Sequence, residues 1–94
     1  MPRAIWNGAV LAESPHTEVL EGNHYFPPEA VNKNYLLPSN TTTMCSWKGQ
    51  ANYYSLIVGG DLNPDAVWYY ADPKPGAEQI KGRVAFQQSV AVQA

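Results

Sequence analysis

The sequence predicts an all-β domain, built mainly from antiparallel strands with one or two short helical turns. Apolar runs are short and separated by turn-forming residues, with seven Gly and eight Pro in 94 residues. Asn7-Gly8 lies between two apolar runs, which is a strong short-range signal for a β-hairpin. Residues 52–58 are the longest strand candidate, and in a strand successive side chains point to opposite faces with a period of two. Together these features favour a single β-rich domain spanning residues 1–94.

The first half of the chain begins with the hairpin, whose strands we expect at residues 4–6 and 9–12. Asn7 and Gly8 supply the two positive φ angles of a tight turn whose twist matches its strands. The following short segments, bounded by Pro, Gly and Asn, predict strands at 17–21 and 24–26, one helical turn at 28–31, an extended stretch at 34–37 and a loop at 38–40.

The second half contains the longest predicted strand, residues 52–58. Its period of two places Tyr53 and Ile57 on one face and Tyr54 and Leu56 on the other, so both faces are largely apolar. We therefore expect a strand that is packed on both sides, or covered by core on one side and by a pocket on the other. The remaining segments predict a loop at 59–64, a strand at 65–71, a turn at 73–76, a short helix at 77–80 and strands at 84–86 and 90–92.

Composition and charge exclude several classes of protein. The formal charge is −2, and the six Lys and Arg are scattered, so the basic stripe of a nucleic-acid binder is absent. No run of 18 apolar residues could span a membrane, and the first residues, MPRAIW, lack the apolar core of a secretory signal, so we expect a cytoplasmic protein. We expect no cofactor. The strand at 90–92 either closes a sheet internally or pairs with a second copy in a homo-oligomer.

Five blocks of the sequence carry a resemblance to a known family. They are AIWNG at 4–8, EGNHYFP at 21–27, CSWKGQANYY at 45–54, AVWYY at 66–70 and IKGRVAF at 80–86. Together they resemble a widespread family of small proteins that is catalogued as a domain of unknown function and sometimes labelled nucleotidyltransferase-like. The resemblance runs nearly end to end, and five blocks in order are far more specific than any one of them.

The resemblance implies a β-tent-like fold, of the group that includes methionine sulfoxide reductase B and the cereblon ligand-binding domain. Proteins of that group often hold a zinc ion between paired cysteines. Cys45 is the only cysteine of this chain, so we expect no metal site and no internal disulfide. The chain also departs from the family pattern at Ser46 and Ala71, where the family usually has proline. Fold kinship does not define an activity.

Cys45 and Lys48 have two interpretations. An ammonium about 4 Å from a thiolate contributes roughly 1 kcal/mol in water and roughly 4 kcal/mol in a partly buried site. A sheltered turn would therefore hold a reactive thiolate, whereas an exposed one would not. Alternatively, Cys45 is an inert packed residue, Trp47 is part of the core and Lys48 extends its ammonium to water.

Two histidines are candidates for a base that assists such a thiol. His24 adjoins two aromatic residues in a block of the resemblance and is the better candidate, whereas His16 follows a proline in a turn. A surface histidine on a strand is the simpler interpretation of His24. Glu18 and Glu21 alternate with apolar residues and are most simply interpreted as a solvated strand face.

The aromatic residues carry the preferred functional hypothesis. Six of them come from separate segments, and a domain of this size has few interior positions that bury so many large rings. We expect them to line a pocket around the turn at residues 45–49, which binds a small molecule or a peptide, with Lys48 placed for an anionic group. The expected ligand-binding residues are Trp6, Tyr25, Trp47, Tyr53, Trp68 and Tyr70.

Two enzymatic alternatives remain. In the first, Cys45 is the nucleophile, Lys48 lowers its pKa and His24 assists. In the second, the chain transfers nucleotides, as the family label suggests. The sequence contains neither a Gly-rich phosphate-binding loop nor a close pair of aspartates that would hold magnesium, so this alternative ranks last. The other possibility for the aromatic residues is that they fill a core without a cleft.

Overall fold

The computed structural model describes residues 1–94 and confirms the all-β class. Nine strands are joined by turns and by three short 3₁₀ helices, and every pairing between named strands is antiparallel. The strands are β1 (Arg3–Trp6), β2 (Ala9–Glu13), β3 (Glu18–Leu20), β4 (Asn23–Tyr25), β5 (Leu36–Cys45), β6 (Gly49–Val58), β7 (Asp61–Tyr69), β8 (Val84–Phe86) and β9 (Ala91–Gln93). The 3₁₀ helices are Pro28–Ala30, Lys33–Tyr35 and Glu78–Ile80.

The first sheet has the strand order β2-β1-β9 and contains the predicted hairpin. Asn7 and Gly8 have φ angles of 52° and 77°, as the tight turn requires. Strand β9 pairs with β1, so the C-terminal strand joins this sheet within the chain as one of its edge strands. The Asn7 side chain donates hydrogen bonds of 2.9 Å to the Val58 carbonyl and to Oδ2 of Asp61. The hairpin tip is thereby fixed to the β6–β7 turn.

The main sheet has the order β5-β6-β7-β8 and corrects two predictions from the sequence. Residues 38–40, expected to be a loop, lie inside β5, where the register shifts between Pro38 and Thr42. Proline is tolerated there because β5 is an edge strand and the ladder is interrupted at the bulge. The expected loop at 59–64 is only a turn at Gly59-Gly60, and β7 already begins at Asp61.

The two faces of the main sheet cover two separate hydrophobic clusters. Tyr54 and Leu56 belong to the larger cluster, on the side where Phe26 is buried, whereas Tyr53 and Ala51 belong to the smaller one. Successive side chains of β6 alternate between the faces because a strand has a period of two. Of the two arrangements that the sequence left open for β6, the structure shows the one with hydrophobic clusters on both faces. The small sheet of β3 and β4 contributes Tyr25 to the smaller cluster.

Candidate functional site

The turn between β5 and β6 forms the base of the candidate site. Strand β5 ends at Cys45 and β6 begins at Gly49, and these two residues are partners across the ladder. Gly49 has a φ of 107°, which L side chains rarely adopt. Lys74 holds the turn from outside: its backbone N–H donates to the Lys48 carbonyl at 2.9 Å and its Nζ donates to the Ser46 carbonyl at 3.0 Å. These two hydrogen bonds hold the turn at Ser46 and at Lys48.

Lys48 extends from this turn into the protein instead of into water. Its side chain is only 10% exposed and forms an ion pair with Oε1 of Glu21. Trp47 donates its indole N–H to Oε2 of the same carboxylate at 3.4 Å. The Lys48 Nζ also lies 5.3 Å from the ring centroid of Tyr70 and 5.8 Å from that of Trp47, within the range of cation–π attraction.

The ion pair keeps both partners charged. Burial is the largest single effect and disfavours the ammonium of Lys48, but the hydrogen bond with Glu21 and the electrostatic attraction of Tyr25, Tyr70 and Glu21 together outweigh it and raise the pKa of Lys48. The hydrogen bond from Lys48, aided by its positive charge and by Trp47, lowers the pKa of the Glu21 carboxyl below its ordinary value. Lys48 is thus a permanently charged ammonium in a mostly buried position.

Cys45 lies partly buried at the start of the same turn. The backbone N–H groups of Lys48 and Trp47 stabilise its thiolate, and with the charge of Lys48 they lower the pKa of Cys45 against the opposing effects of burial and of Glu21. Backbone donors contribute more than the ammonium here. From the sequence, the Lys48 charge alone was expected to produce this effect.

Aromatic side chains surround Lys48 on this face of the sheet. Tyr25 is fully buried and accepts a hydrogen bond of 3.1 Å from the indole N–H of Trp68, whose ring meets it edge-on at 6.3 Å. Burial raises the pKa of Tyr70, although the nearby Lys48 ammonium opposes it, so Tyr70 is a neutral hydroxyl at pH 7. A cleft of about 170 Å³ opens here, lined by Lys48, Tyr53, Trp68, Tyr70 and Gln87.

Four of the six aromatic residues expected at the site share one cluster, and two do not. Tyr25, Tyr53, Trp68 and Tyr70 pack together with Cys45. Trp47 lies at the turn, 42% exposed. Trp6 packs against the larger cluster, because β1 belongs to the other sheet. The prediction that Trp6 lies at the turn of residues 45–49 is therefore wrong.

His24 is not positioned to assist Cys45. Its Nδ1 forms a hydrogen bond of 2.8 Å with the Thr17 hydroxyl, and its ring lies 6.5 Å from that of Phe26. Phe26 belongs to the larger cluster, whereas Cys45 packs against the smaller one. His24 and Tyr25 are neighbours on β4, and successive side chains of a strand point to opposite faces. Because Tyr25 faces the site, His24 points away from it.

Glu21 and Gln87 also belong to this site, although neither was predicted from the sequence. Glu21 has a φ of 53° and lies in the turn between β3 and β4, not on a solvated strand face. That turn, Glu21-Gly22, has two positive φ angles, and an acidic residue before glycine was the available signal for it. No sequence spacing links Glu21 with Lys48, 27 residues away. Gln87 follows β8, and nothing in the sequence distinguished it.

The fold and the site define a small all-β domain with a lysine–glutamate ion pair beside an aromatic cleft. The chain belongs to the family described as Domain of unknown function (DUF427), which matches residues 2–94 and whose short name refers to nucleotidyl transfer. A search of curated proteins finds no match to the chain. No helix of the chain is both long and apolar enough to cross a membrane. No three His, Cys, Asp or Glu side chains are grouped so that they could hold a metal ion.

Proposed function

We propose that this domain binds a small, planar, polar molecule in the aromatic cleft beside Cys45 and Lys48. The observation that carries the proposal is the position of Lys48, which keeps a charged ammonium in a mostly buried site at the wall of the cleft. Burying a charge is costly unless it is used or paired. Glu21 offsets this cost by pairing with Lys48, and an ammonium has three N–H donors, so the position of Lys48 in the lining of the cleft favours a role in binding.

The chemistry of the cleft supports a planar ligand. Tyr53, Trp68 and Tyr70 offer ring faces and edges for stacking, and a cleft of about 170 Å³ admits one ring system rather than a larger molecule. Glu21 neutralises Lys48, so the site selects a hydrogen-bond acceptor, and not simply any anion. The amide of Gln87 adds a donor and an acceptor to the lining. Heterocycles with adjacent donors and acceptors, such as nucleobases, fit this pattern.

Replacing Lys48 with Met tests this proposal. We expect wild-type protein to bind members of a panel of adenine, uracil, nicotinamide, ATP and glutathione, measured by thermal shift and calorimetry. Lys48→Met retains the length of the side chain and removes the charged donor, so affinity for the bound compounds should fall by about 10- to 100-fold, as for a hydrogen bond to a charged group.

Arg3→Met is the control, because Arg3 is the exposed cation of the chain's other ion pair and does not line this cleft. It should leave the affinity unchanged. Equal affinities of wild-type protein and the Lys48→Met variant for every bound compound would refute a ligand role for Lys48. Including ATP tests the nucleotide chemistry that the family label suggests.

A second function, covalent chemistry at Cys45, is supported by a different observation. The backbone N–H groups of Trp47 and Lys48 stabilise the thiolate, so the pKa of Cys45 lies below that of a free cysteine. Cys45 also packs against the cluster whose rings line the cleft. In this function Cys45 acts on the bound molecule as a nucleophile, and the donors that stabilise its thiolate belong to the turn itself.

The rate of Cys45 alkylation by iodoacetamide against pH tests this function. A lowered pKa places the midpoint below that of free cysteine. Glu21→Gln removes a negative charge that raises the pKa of Cys45, so its midpoint should move further down. Lys48→Met should move it up only slightly, because the backbone donors, which contribute more than the ammonium, remain. A wild-type midpoint equal to that of urea-unfolded protein would remove Cys45 as a nucleophile.

A further inference from the structure

The largest cavity of the molecule lies on the opposite face of the main sheet from Lys48. It has a volume of about 510 Å³, within the range of small-molecule sites and three times that of the cleft. Three parts of the chain enclose it: the segment around the first two 3₁₀ helices, the main sheet, and the segment between β7 and β8. The lining residues are Pro28, Val31, Lys33, Leu36, Tyr54, Tyr69, Ala71, Lys81, Gly82 and Val84.

Two tyrosines form the floor of this cavity. Tyr54 on β6 and Tyr69 on β7 lie diagonally across the ladder, and their rings are stacked with centroids 5.1 Å apart and planes 24° apart. Burial, with the neighbouring Tyr54 hydroxyl, raises the pKa of Tyr69, so its hydroxyl stays neutral at pH 7. Six of the ten lining residues are hydrophobic. The cavity therefore offers an extended apolar surface with a flat aromatic base.

The charges around this cavity have one sign. Lys33 and Lys81 line it, and no aspartate or glutamate does. Both lysines are exposed, and neither takes part in the two ion pairs of the chain, which are Arg3–Glu13 and Lys48–Glu21. In a chain with a net charge of −2, this is a local concentration of two unneutralised ammonium groups beside an apolar cavity.

We propose that the cavity over Tyr54 and Tyr69 is a second binding site, which takes an aromatic anion. The planar apolar part of the ligand packs against the two tyrosine rings, and its carboxylate or phosphate is paired by Lys33 and Lys81. This site is independent of the cleft beside Lys48, because neighbouring side chains of β6 and β7 point to opposite faces of the sheet. The positive charges of Lys33 and Lys81 favour an anionic group. The volume of the cavity and the tyrosine rings favour an aromatic ligand.

Fluorescence titration with 8-anilinonaphthalene-1-sulfonate tests the site. This probe is an aromatic anion, and N-phenyl-1-naphthylamine is its neutral analogue without the sulfonate. We expect the anionic probe to bind one site per chain, at least about tenfold more tightly than the neutral analogue. Raising the ionic strength should lower the affinity of the anionic probe and leave that of the neutral analogue unchanged, because salt screens exposed charges. Competition by 2-naphthoate and by 2-naphthyl phosphate distinguishes a carboxylate ligand from a phosphate ligand.

Two variants locate the probe. Lys33→Met combined with Lys81→Met should weaken the anionic probe by about tenfold and leave the neutral analogue unchanged. Ala71→Phe, at an exposed position of the lining, should occupy part of the cavity and weaken the binding of both probes. Lys48→Met should alter the affinity of neither probe, and this result would separate the site from the cleft beside Lys48. Circular dichroism checks that each variant is folded.

Three results would overturn this proposal. Equal binding of both probes would show an apolar cavity without anion selectivity. Affinities of both probes that are unchanged by Ala71→Phe would place the probes elsewhere. If the chain forms a dimer in sedimentation experiments and the probe binds only at concentrations where the monomer prevails, the cavity is covered by a second copy instead.

Discussion

Replacing Phe26 with Ala should lower the free energy of unfolding by about 3–5 kcal/mol, the largest effect that we expect from a single substitution in this chain. Phe26 is fully buried in the larger cluster, and its ring packs edge-on against Phe86 at 5.6 Å. Its backbone pairs with Val84 in both directions, at 2.8 and 2.9 Å, so the side chain lies where the segment after β4 joins β8. A cavity here would loosen that connection.

Urea unfolding, followed by tryptophan fluorescence, measures this effect. A loss of about 3–5 kcal/mol is comparable with the stability of a small domain, so Phe26→Leu provides a milder variant, expected to cost about 1–1.5 kcal/mol. Val19→Ala is the control, because Val19 is 60% exposed on the adjacent strand and should change stability by less than about 0.5 kcal/mol. If Phe26→Ala costs no more than Val19→Ala, the larger cluster does not depend on this ring.

The features of the fold that could be predicted are those with a local cause. Asn7-Gly8 specifies a turn with two positive φ angles whatever surrounds it, and the hairpin was predicted correctly. The predictions at Pro38 and Pro64 were wrong, because each proline was assigned to a loop although it lies within a strand. Pro38 lies at a bulge of an edge strand, and Pro64 lies in the half of β7 that has no partner in β8. Whether a strand is at an edge depends on the whole sheet and is not visible in its own residues.

Some residues of the candidate site could be predicted from the sequence and others could not. Tyr53 on β6 and Trp68 on β7 are ladder partners on one face of the sheet, and Tyr70, the residue after β7, packs in the same cluster. Their meeting follows from the period of two once the strands are paired. Trp6 and Glu21 were not, because their positions depend on how two other sheets pack against the main one. The stacking of Tyr54 on Tyr69 follows from the same register. The nearby Lys33 begins a short 3₁₀ helix and Lys81 lies between β7 and β8, and no sequence pattern places these segments beside the tyrosines.

Replacing Gly49 with Ala should destabilise the protein by about 1–3 kcal/mol and also move the alkylation midpoint of Cys45 upward. The φ of Gly49 is 107°, well outside the left-handed helical region that other residues tolerate. A Cβ there would lie 3.5 Å from atoms of Lys74, an ordinary contact, so the cost comes from the backbone and not from crowding. Relief of that strain rotates the peptide groups of the turn.

The link to Cys45 follows from the geometry of the turn. Gly49 is the ladder partner of Cys45, and the N–H groups of Trp47 and Lys48 between them stabilise the thiolate. When these donors rotate away from the sulfur, the pKa of Cys45 rises toward that of a free thiol. Iodoacetamide labelling against pH detects the shift, and urea unfolding measures the loss of stability.

Gly76→Ala separates the two effects, because Gly76 has a similar φ of 99°, has no atom within 4 Å of the position that a Cβ would occupy, and lies outside the Cys45 turn. This variant should lose a similar amount of stability and leave the labelling midpoint at its wild-type value. If both glycine variants leave the midpoint unchanged, the backbone of the turn does not control the thiol. If both shift it equally, the shift reflects a general loosening of the domain. Only a shift confined to Gly49→Ala would show that this glycine keeps the two donors directed at the sulfur.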